Sequence, residues 1–562
     1  MVFPVRRYGF DDNTDSDEEV HEDSESNPSD ESSDEYDESD DEVPSVATPP
    51  VNADVNAWRF VNPDDDQRPN VRESFTGQSG LQIPVPDNPV DFSLHILDEE
   101  VFESIAQWMN SKAAKRNYVN VNRFGRRKHG VKWSDVSSAD IKKLFALILL
   151  TGLVKKPTIH DYFSQNVYIS TPFFCRPDTF SRDRFYQLLS NLRFADYSNV
   201  EPQRMEKVQP LIDLLRQKIQ AVYEIDGVGS LDEFLLLYKG KLYLKQYIPK
   251  KRSRFGIKGF SLNESSSAYT YDFEIYCGAT GTNNWCEGMD DVGELTVSER
   301  IVVHMLNRSE LLGKSYTITT DNWFSSFRLA SYLLDHGTMC LGTIRCNRGV
   351  PDILSNLRQD PIQSAFVRLG NILIVKFTDK RAVHVISSTH TAALIAKERV
   401  GKDRRIIPYH KPLCVEDYNK SMNGTDRVDQ MLATVSSVRK SYVWPKKLGL
   451  HLLQRLGVVN GYVLAKKYFP EAMRSKVLKD YSLDLIEALF RLGNTPNIRR
   501  RPSNHSLEKI PGTETRPRPT LACKQCRRTA APGNRVRESR YRCTACPEKP
   551  ALHMECFVLY HA

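Results

Sequence analysis

The sequence predicts a multidomain α/β protein, and three observations carry that class. Runs of β-type residues cluster between 231 and 276. Helix and strand patterns then alternate from 298 to 344, and helical periodicity flanks this stretch on both sides. At 562 residues the chain is long enough for three or four domains.

Residues 1–90 are first Asp/Glu/Ser-rich and then Pro/Asn-rich, with too little apolar content to offset the entropy of ordering, so a disordered acidic tail is expected there. From 91 to 225 the pattern is helical. Ile141, Leu144, Phe145, Ile148 and Leu149 fall on one helix face, and segments 182–194 and 208–223 read similarly. Near Gly229 the character changes. Leu231, Phe234, Leu236 and Tyr238, then 242–247, read as strands around the turn-like Lys239-Gly240, and 269–276 continues the meander. A helix over 298–312, a strand over 315–319, a helix over 325–334 and a strand over 339–344 complete a core that spans 226–346. Short strands follow within 347–412. Residues 413–438 hold an acidic helix pattern, 439–494 are helical again, 495–520 form a basic Pro/Arg/Thr linker, and 521–562 are cysteine-rich.

Charge is segregated along the chain. Between Asp11 and Glu42 there are 18 acidic residues and no Lys or Arg, whereas the rest carries 77 Lys and Arg against 53 Asp and Glu, a balance of +24. A strongly basic body points to a polyanionic partner, with a merely solvated basic surface as the alternative. The longest apolar stretch, 144–154, is too short to span a bilayer and reads as a buried helix, so no membrane partner is expected. Of the 11 cysteines, five fall in the last forty residues at metal-ligand spacing, unlike a secreted disulfide framework; a soluble intracellular protein is the expectation.

Four carboxylates stand out. Asp232 lies inside a β run, Asp321 follows a strand, and Asp426 and Asp429 are three apart, a spacing that shares one helix face. A carboxylate within a strand is costly unless a cation or metal offsets it. Hydrolysis or transesterification of a phosphodiester is served by two Mg²⁺ ions held on such hard oxygen ligands from several elements. Taken singly, each aspartate also fits a structural role: Asp232 in an ion pair, Asp321 and Asp426 as helix caps. The tail reads Cys523-x2-Cys526, Cys543-x2-Cys546, His553-x2-Cys556 and His561, the spacing of structural zinc sites. Seven ligands exceed one tetrahedral site and fall one short of two. A crossed arrangement would pair Cys523/Cys526 with His553/Cys556, and Cys543/Cys546 with His561 and an eighth ligand. Basic clusters with aromatic neighbours suit phosphate neutralisation and base stacking: Lys251, Arg252 and Arg254 beside Phe255, Arg345 and Arg348, and Arg439 and Lys440 ahead of Trp444. Buried packing is the alternative for Trp444. The run Arg499-Arg500-Arg501 fits a nuclear localisation signal.

Together, Leu231-Asp-Glu with Tyr247-Ile-Pro-Lys-Lys-Arg-Ser-Arg-Phe-Gly-Ile-Lys258, Thr320-Asp-Asn-Trp-Phe-Ser-Ser326, Gly342-Thr-Ile-Arg-Cys-Asn-Arg-Gly349, Asp426-Arg-Val-Asp-Gln430 and Cys556-Phe-Val-Leu-Tyr-His561 resemble the piggyBac family of DNA transposases. The resemblance runs in order over about 90–562. It implies an RNase H-like catalytic core whose metal-binding aspartates are Asp232, Asp321 and Asp426, with Asp429 required either as a ligand or as the orienter of one. It further implies an insertion domain at 347–412 and a helical dimerisation and DNA-binding domain made from 91–225 and 439–494. The zinc-binding tail would grip transposon-end DNA. The implied activity is cut-and-paste transposition at TTAA sites through hairpinned ends, by a homodimer acting on double-stranded DNA. A domesticated DNA-binding or chromatin factor, or a host recombinase with the same chemistry, would keep the same motifs.

Overall fold

The computed structural model describes residues 58–66, 75–115, 133–248, 255–278, 285–286, 289, 292–360, 362–379, 381–400, 404, 406–439, 443–494, 507–512, 516–529, 536–544, 546, 548–553, 556–557 and 560. The chain divides into two compact units: residues 1–86, 216–433 and 438–468 in the first, and 87–215, 434–437 and 469–562 in the second. No helix among the described residues is long and apolar enough to cross a membrane.

The second unit is built on helices Glu99–Lys115, Ser138–Leu153, Arg182–Asn191 and Leu478–Asn494. The apolar stretch at 144–154 lies in the second of these. Ser137 caps it by accepting the N–H of Asp140, whose carboxylate returns a bond to the Ser137 N–H, and Ile141, Leu144, Phe145, Ile148 and Leu149 are all buried.

The first unit is organised by one ten-stranded sheet. Strands β1 (Val228–Leu237), β2 (Phe255–Glu264) and β3 (Thr270–Ile275) form an antiparallel meander. Helix α1 (Val297–Arg308) leads to β4 (Thr317–Thr320), which returns parallel to β1 on the side away from β2. Helix α2 (Phe327–Asp335) then crosses to β5 (Met339–Thr343), parallel to β4. The spatial order in this part is β3-β2-β1-β4-β5. Beyond it, β6 (Gln363–Leu369), β7 (Ile372–Thr378) and β8 (Ala382–Ser387) continue the same sheet, β8 pairing antiparallel with β5. The hairpin of β9 (Leu394–Val400) and β10 (Ile406–Pro412) stands as a separate two-stranded sheet. Leu341, Leu373, Val375, Val385, Cys414 and Val415 form a buried cluster beneath β5, β7 and β8.

Helices α3 (Leu413–Ser421) and α4 (Gly424–Val435) follow. Helix α5 (Trp444–Leu452) then runs through a seven-residue π-helical segment, Leu453–Val459, into α6 (Asn460–Tyr468). The sequence pattern predicts a continuous helix over 446–468, and the wider turn is not visible in that pattern.

Close backbone approach explains two glycines. A Cβ on Gly342 would lie 2.1 Å from the Ser325 Oγ and 2.8 Å from the Thr320 carbonyl, and one on Gly424 would lie 2.4 Å from the Ser230 Oγ. Gly342→Ala is therefore expected to displace the turn that follows β4 and to cost about 1–3 kcal/mol as overpacking. Chemical denaturation against the wild type checks this; an unchanged midpoint would remove the packing argument.

Candidate active site

The register of β1 with β4 pairs Leu231 with Thr320, which makes Asp232 and Asp321 the next residues along two adjacent parallel strands. Ser230 and Asp232 share one face of β1, and Thr319 precedes Asp321 by the same two-residue step. On that face the Thr319 hydroxyl meets Ser421 at 3.1 Å, so α3 lies over this side of the sheet. Antiparallel pairing sets Ser261 of β2 directly opposite Asp232. The Ser261 hydroxyl is 3.0 Å from the Thr425 hydroxyl, and the Asn263 amide donates to that same Thr425 oxygen at 2.7 Å. These buried bonds dock the first turn of α4, which carries the exposed Asp426, onto β2. Asp232 and Asp321 thus hold neighbouring positions at the ends of two paired strands, and Asp426 follows the residue that docks α4 on β2.

Asp321 opens a tight turn. Its Oδ1 accepts the Trp323 N–H at 2.9 Å, and the Ser325 Oγ bonds to the Asp321 carbonyl at 2.9 Å and to the Thr320 hydroxyl at 2.7 Å. The helix beyond begins at Phe327 and is capped by Ser326, so Asp321 is not its cap. Asp426 lies inside α4 rather than ahead of it. Burial pushes the Asp321 carboxyl above the ordinary aspartate range, and the negative charge of Glu233 adds to this; the Trp323 N–H and Arg345 oppose it. The Tyr418 hydroxyl is pushed up to about 12 by burial, with the charges of Asp321 and Asp232 contributing. Burial is the main cause of both shifts.

Asp429 is held differently. Its Oδ1 accepts from the Arg455 guanidinium at 2.6 Å, an arginine with no solvent exposure. Among the described residues, the aspartates do not form a cluster with ligand atoms within 4.8 Å of one another; the Cys/His group of the tail does.

Residues outside the sequence-derived set complete the surroundings. Lys258 pairs with Glu233 at 2.9 Å and lies 4.3 Å from the Trp323 ring centre, while Trp323 stacks on Phe260 at 5.6 Å. Lys258 closes the basic motif at 247–258, but only the fold shows that it faces Glu233. Arg345 is exposed and donates to the Asn322 side chain at 3.2 Å; Arg348 donates to Ser298 at 3.0 Å. Arg439 is half-buried, and Trp444 is half-buried at the start of α5. Lys251, Arg252, Arg254, Lys440, Arg499, Arg500, Arg501 and His561 lie outside the described residues. Two cavities, of about 580 and 630 Å³, are lined by other residues, so the aspartates are not enclosed in either.

In the tail, Cys523, Cys526, His553 and Cys556 converge with ligand atoms all within 4.8 Å of one another. The Cys526 Sγ is 3.6 Å from both the Cys556 Sγ and the His553 Nδ1. The opposite ring nitrogen, Nε2, lies 3.0 Å from the Glu538 carbonyl, which would fix the tautomer with Nδ1 free for a metal. Burial raises the Cys523 thiol, but the backbone at Cys526 and His553 and the neighbouring thiols outweigh it and bring it down to about 7. Cys556 is pushed up to about 12 by burial and by bonds with Cys526 and Cys523. Three sulfurs and one nitrogen at this spacing fit a tetrahedral Zn²⁺. Cys543 and Cys546 contact each other and are not members of this four-residue group.

Comparison with known proteins follows the same lines. A family model described as Transposase IS4 matches residues 88–462, and the chain belongs to this transposase family, in its piggyBac branch. The human PiggyBac transposable element-derived protein 3 is 26% identical over 515 residues, covering 84% of this chain and 76% of that protein. The human Chimeric ERCC6-PGBD3 protein matches at the same 26% identity, with 42% of its length covered. Among solved structures, the piggyBac transposase synaptic complex with hairpin DNA, solved by cryo-EM, shares the fold with a TM-score of 0.61 at 22% identity, covering 85% of this chain and 98% of that one. The Cys/His group lies beyond the part matched by the family model.

Proposed function

We propose that this chain is a cut-and-paste DNA transposase with an RNase H-like core, active at Asp232, Asp321 and Asp426. The observation that carries the reading is the pairing of β1 with β4 in the order β3-β2-β1-β4-β5, which sets Asp232 and Asp321 side by side, with Thr425 drawing Asp426 toward them.

These three carboxylates are hard oxygen donors, which fits Mg²⁺. A pair of such ions, when bound, supplies activation of water or a 3′-OH and stabilisation of the leaving oxygen. The chain's own residues do the rest. Ser325 and the Trp323 N–H hold Asp321 in place. Lys258 neutralises Glu233, which limits repulsion of an incoming phosphate. Arg345, exposed beside Asp321, and Arg348 are positioned to neutralise DNA phosphates. Lys251, Arg252, Arg254, Arg439 and Lys440 extend that basic surface, and Trp444 serves as a stacking platform for an unpaired base at a hairpin.

The zinc-binding tail, with Cys543, Cys546 and His561 contributing to a second ion, grips transposon-end DNA. Two copies pair the two ends, TTAA is the target, and the nucleus is the place of action. A second reading is motivated by the human relatives, whose names describe them as transposable element-derived: a DNA-binding protein whose core is scaffold.

One experiment separates the readings. Purified chain is given pre-cut duplex ends with a free 3′-OH and a TTAA plasmid, with and without Mg²⁺. Joined products that need Mg²⁺ and vanish in Asp232→Asn support the enzyme; binding without joining under every condition supports the scaffold. Lys258→Met should lower joining by leaving Glu233, whose charge already acts on Asp321, without its cation. Equal rates would remove Lys258 from the site.

A further inference from the structure

We infer that Asp429 and the buried Arg455 form a strut that positions α4 over β1 and β2, and that Asp429 acts through this arginine rather than as a metal ligand. The inference rests on the proposed metal site for its catalytic consequence, but the strut itself is a property of the fold.

Arg455 belongs to the π-helical segment Leu453–Val459, an insertion-like wide turn of the type that recurs at functional sites. It is the largest fully buried side chain among the described residues. One guanidinium nitrogen donates to the Asp429 Oδ1 at 2.6 Å and the other to the Ser261 Oγ at 3.2 Å. The guanidinium carbon sits 4.5 Å from the centre of the Phe234 ring, two residues beyond Asp232 on the same face of β1. Its Nε has no hydrogen-bond partner among the described residues. The neighbouring His451 is held uncharged by burial, with Arg455 and Lys447 adding to this, and is pushed down to about 3.

A buried guanidinium needs a compensating anion, and Asp429 supplies one. Ser261, which receives the other nitrogen, is the residue paired with Asp232 and bonded to Thr425 beside Asp426. The strut therefore ends on α4 at Asp429 and on β2 at the serine that lies opposite Asp232 and is bonded to Thr425. Asp429 is the positioning residue, one helical turn from Asp426, and its Oδ1 is taken by the arginine.

The test is a double-mutant cycle in the full chain with Asp429→Asn, Arg455→Met and their combination, plus Arg455→Lys. Three quantities are read: metal-free unfolding temperature, the number of Mn²⁺ ions bound, and Mg²⁺-dependent strand joining. Each single variant should lower joining by about 10–100-fold, the usual cost of losing an outer-shell partner. The double variant should be no worse than the worse single one, Arg455→Lys should recover part of the loss, and Mn²⁺ stoichiometry should stay that of the wild type throughout. Loss of a bound Mn²⁺ in Asp429→Asn but not in Arg455→Met would overturn the inference and make Asp429 a ligand. A wild type that joins no ends would instead defeat the proposed function. The strut is then read from unfolding alone, where an unshifted Asp429→Asn would overturn it.

Discussion

Asp321→Asn is expected to abolish strand joining while making the metal-free protein more stable. The activity loss should reach about 10³-fold, because a metal ligand supplies several kcal/mol of transition-state stabilisation. The stability gain follows from linkage. Burial and then Glu233 raise the Asp321 carboxyl above its ordinary range. The folded state thus holds its proton more tightly than the unfolded state does, so the metal-free protein loses stability as pH rises from the ordinary aspartate range through this raised value. Asparagine removes that penalty and can still accept the Trp323 N–H. In the proposed mechanism a divalent ion takes the place of that proton, so apparent Mg²⁺ affinity should weaken as pH falls through the same window. Thermal unfolding at neutral pH with chelator checks the first claim. A lower unfolding temperature for the asparagine variant would show that the site is not strained by its charge.

The second large effect concerns the tail. Structural zinc contributes about 10–16 kcal/mol to small cysteine-rich folds, far more than the few buried apolar groups here can supply. Cys523, Cys543, Leu552, Cys556 and Phe557 are the whole buried cluster of this segment among the described residues. Cys526→Ser should cost the full chain one zinc by elemental analysis, expose residues after 520 to protease, and remove affinity for transposon-end duplex. Strands β1 to β5 should stay intact by thermal unfolding. Cys543→Ser tests the remaining pair in the same way. Unchanged zinc content in Cys526→Ser would refute the four-residue site.

Much of this was legible in the residues, for physical reasons that differ by element. The meander and the alternation from 298 to 344 repeat short periods, so local pattern suffices for them. The attachment of β6 to β8 onto β5 leaves no such trace, because edge-to-edge pairing of distant strands needs only ordinary β-type residues on both sides. The aspartates were found by their neighbours in sequence. That Asp232 and Asp321 stand side by side required the β1–β4 register. Arg455 was invisible as a functional residue, since it occupies one position in an apolar helical run and declares itself only by being buried against Asp429. In the tail, spacing named the candidate ligands and suggested the crossed pairing of Cys523 and Cys526 with His553 and Cys556, and these four are the residues that converge in space.

The most direct test of the proposed chemistry is excision from a plasmid that carries the terminal sequences flanking this chain's own gene between two TTAA sites. Donor plasmids would be sequenced after exposure to wild type or to Asp321→Asn. The proposed site predicts donors restored to a single intact TTAA with wild type and none with Asp321→Asn. Equal excision by both proteins, or donors rejoined with lost and added bases, would contradict it.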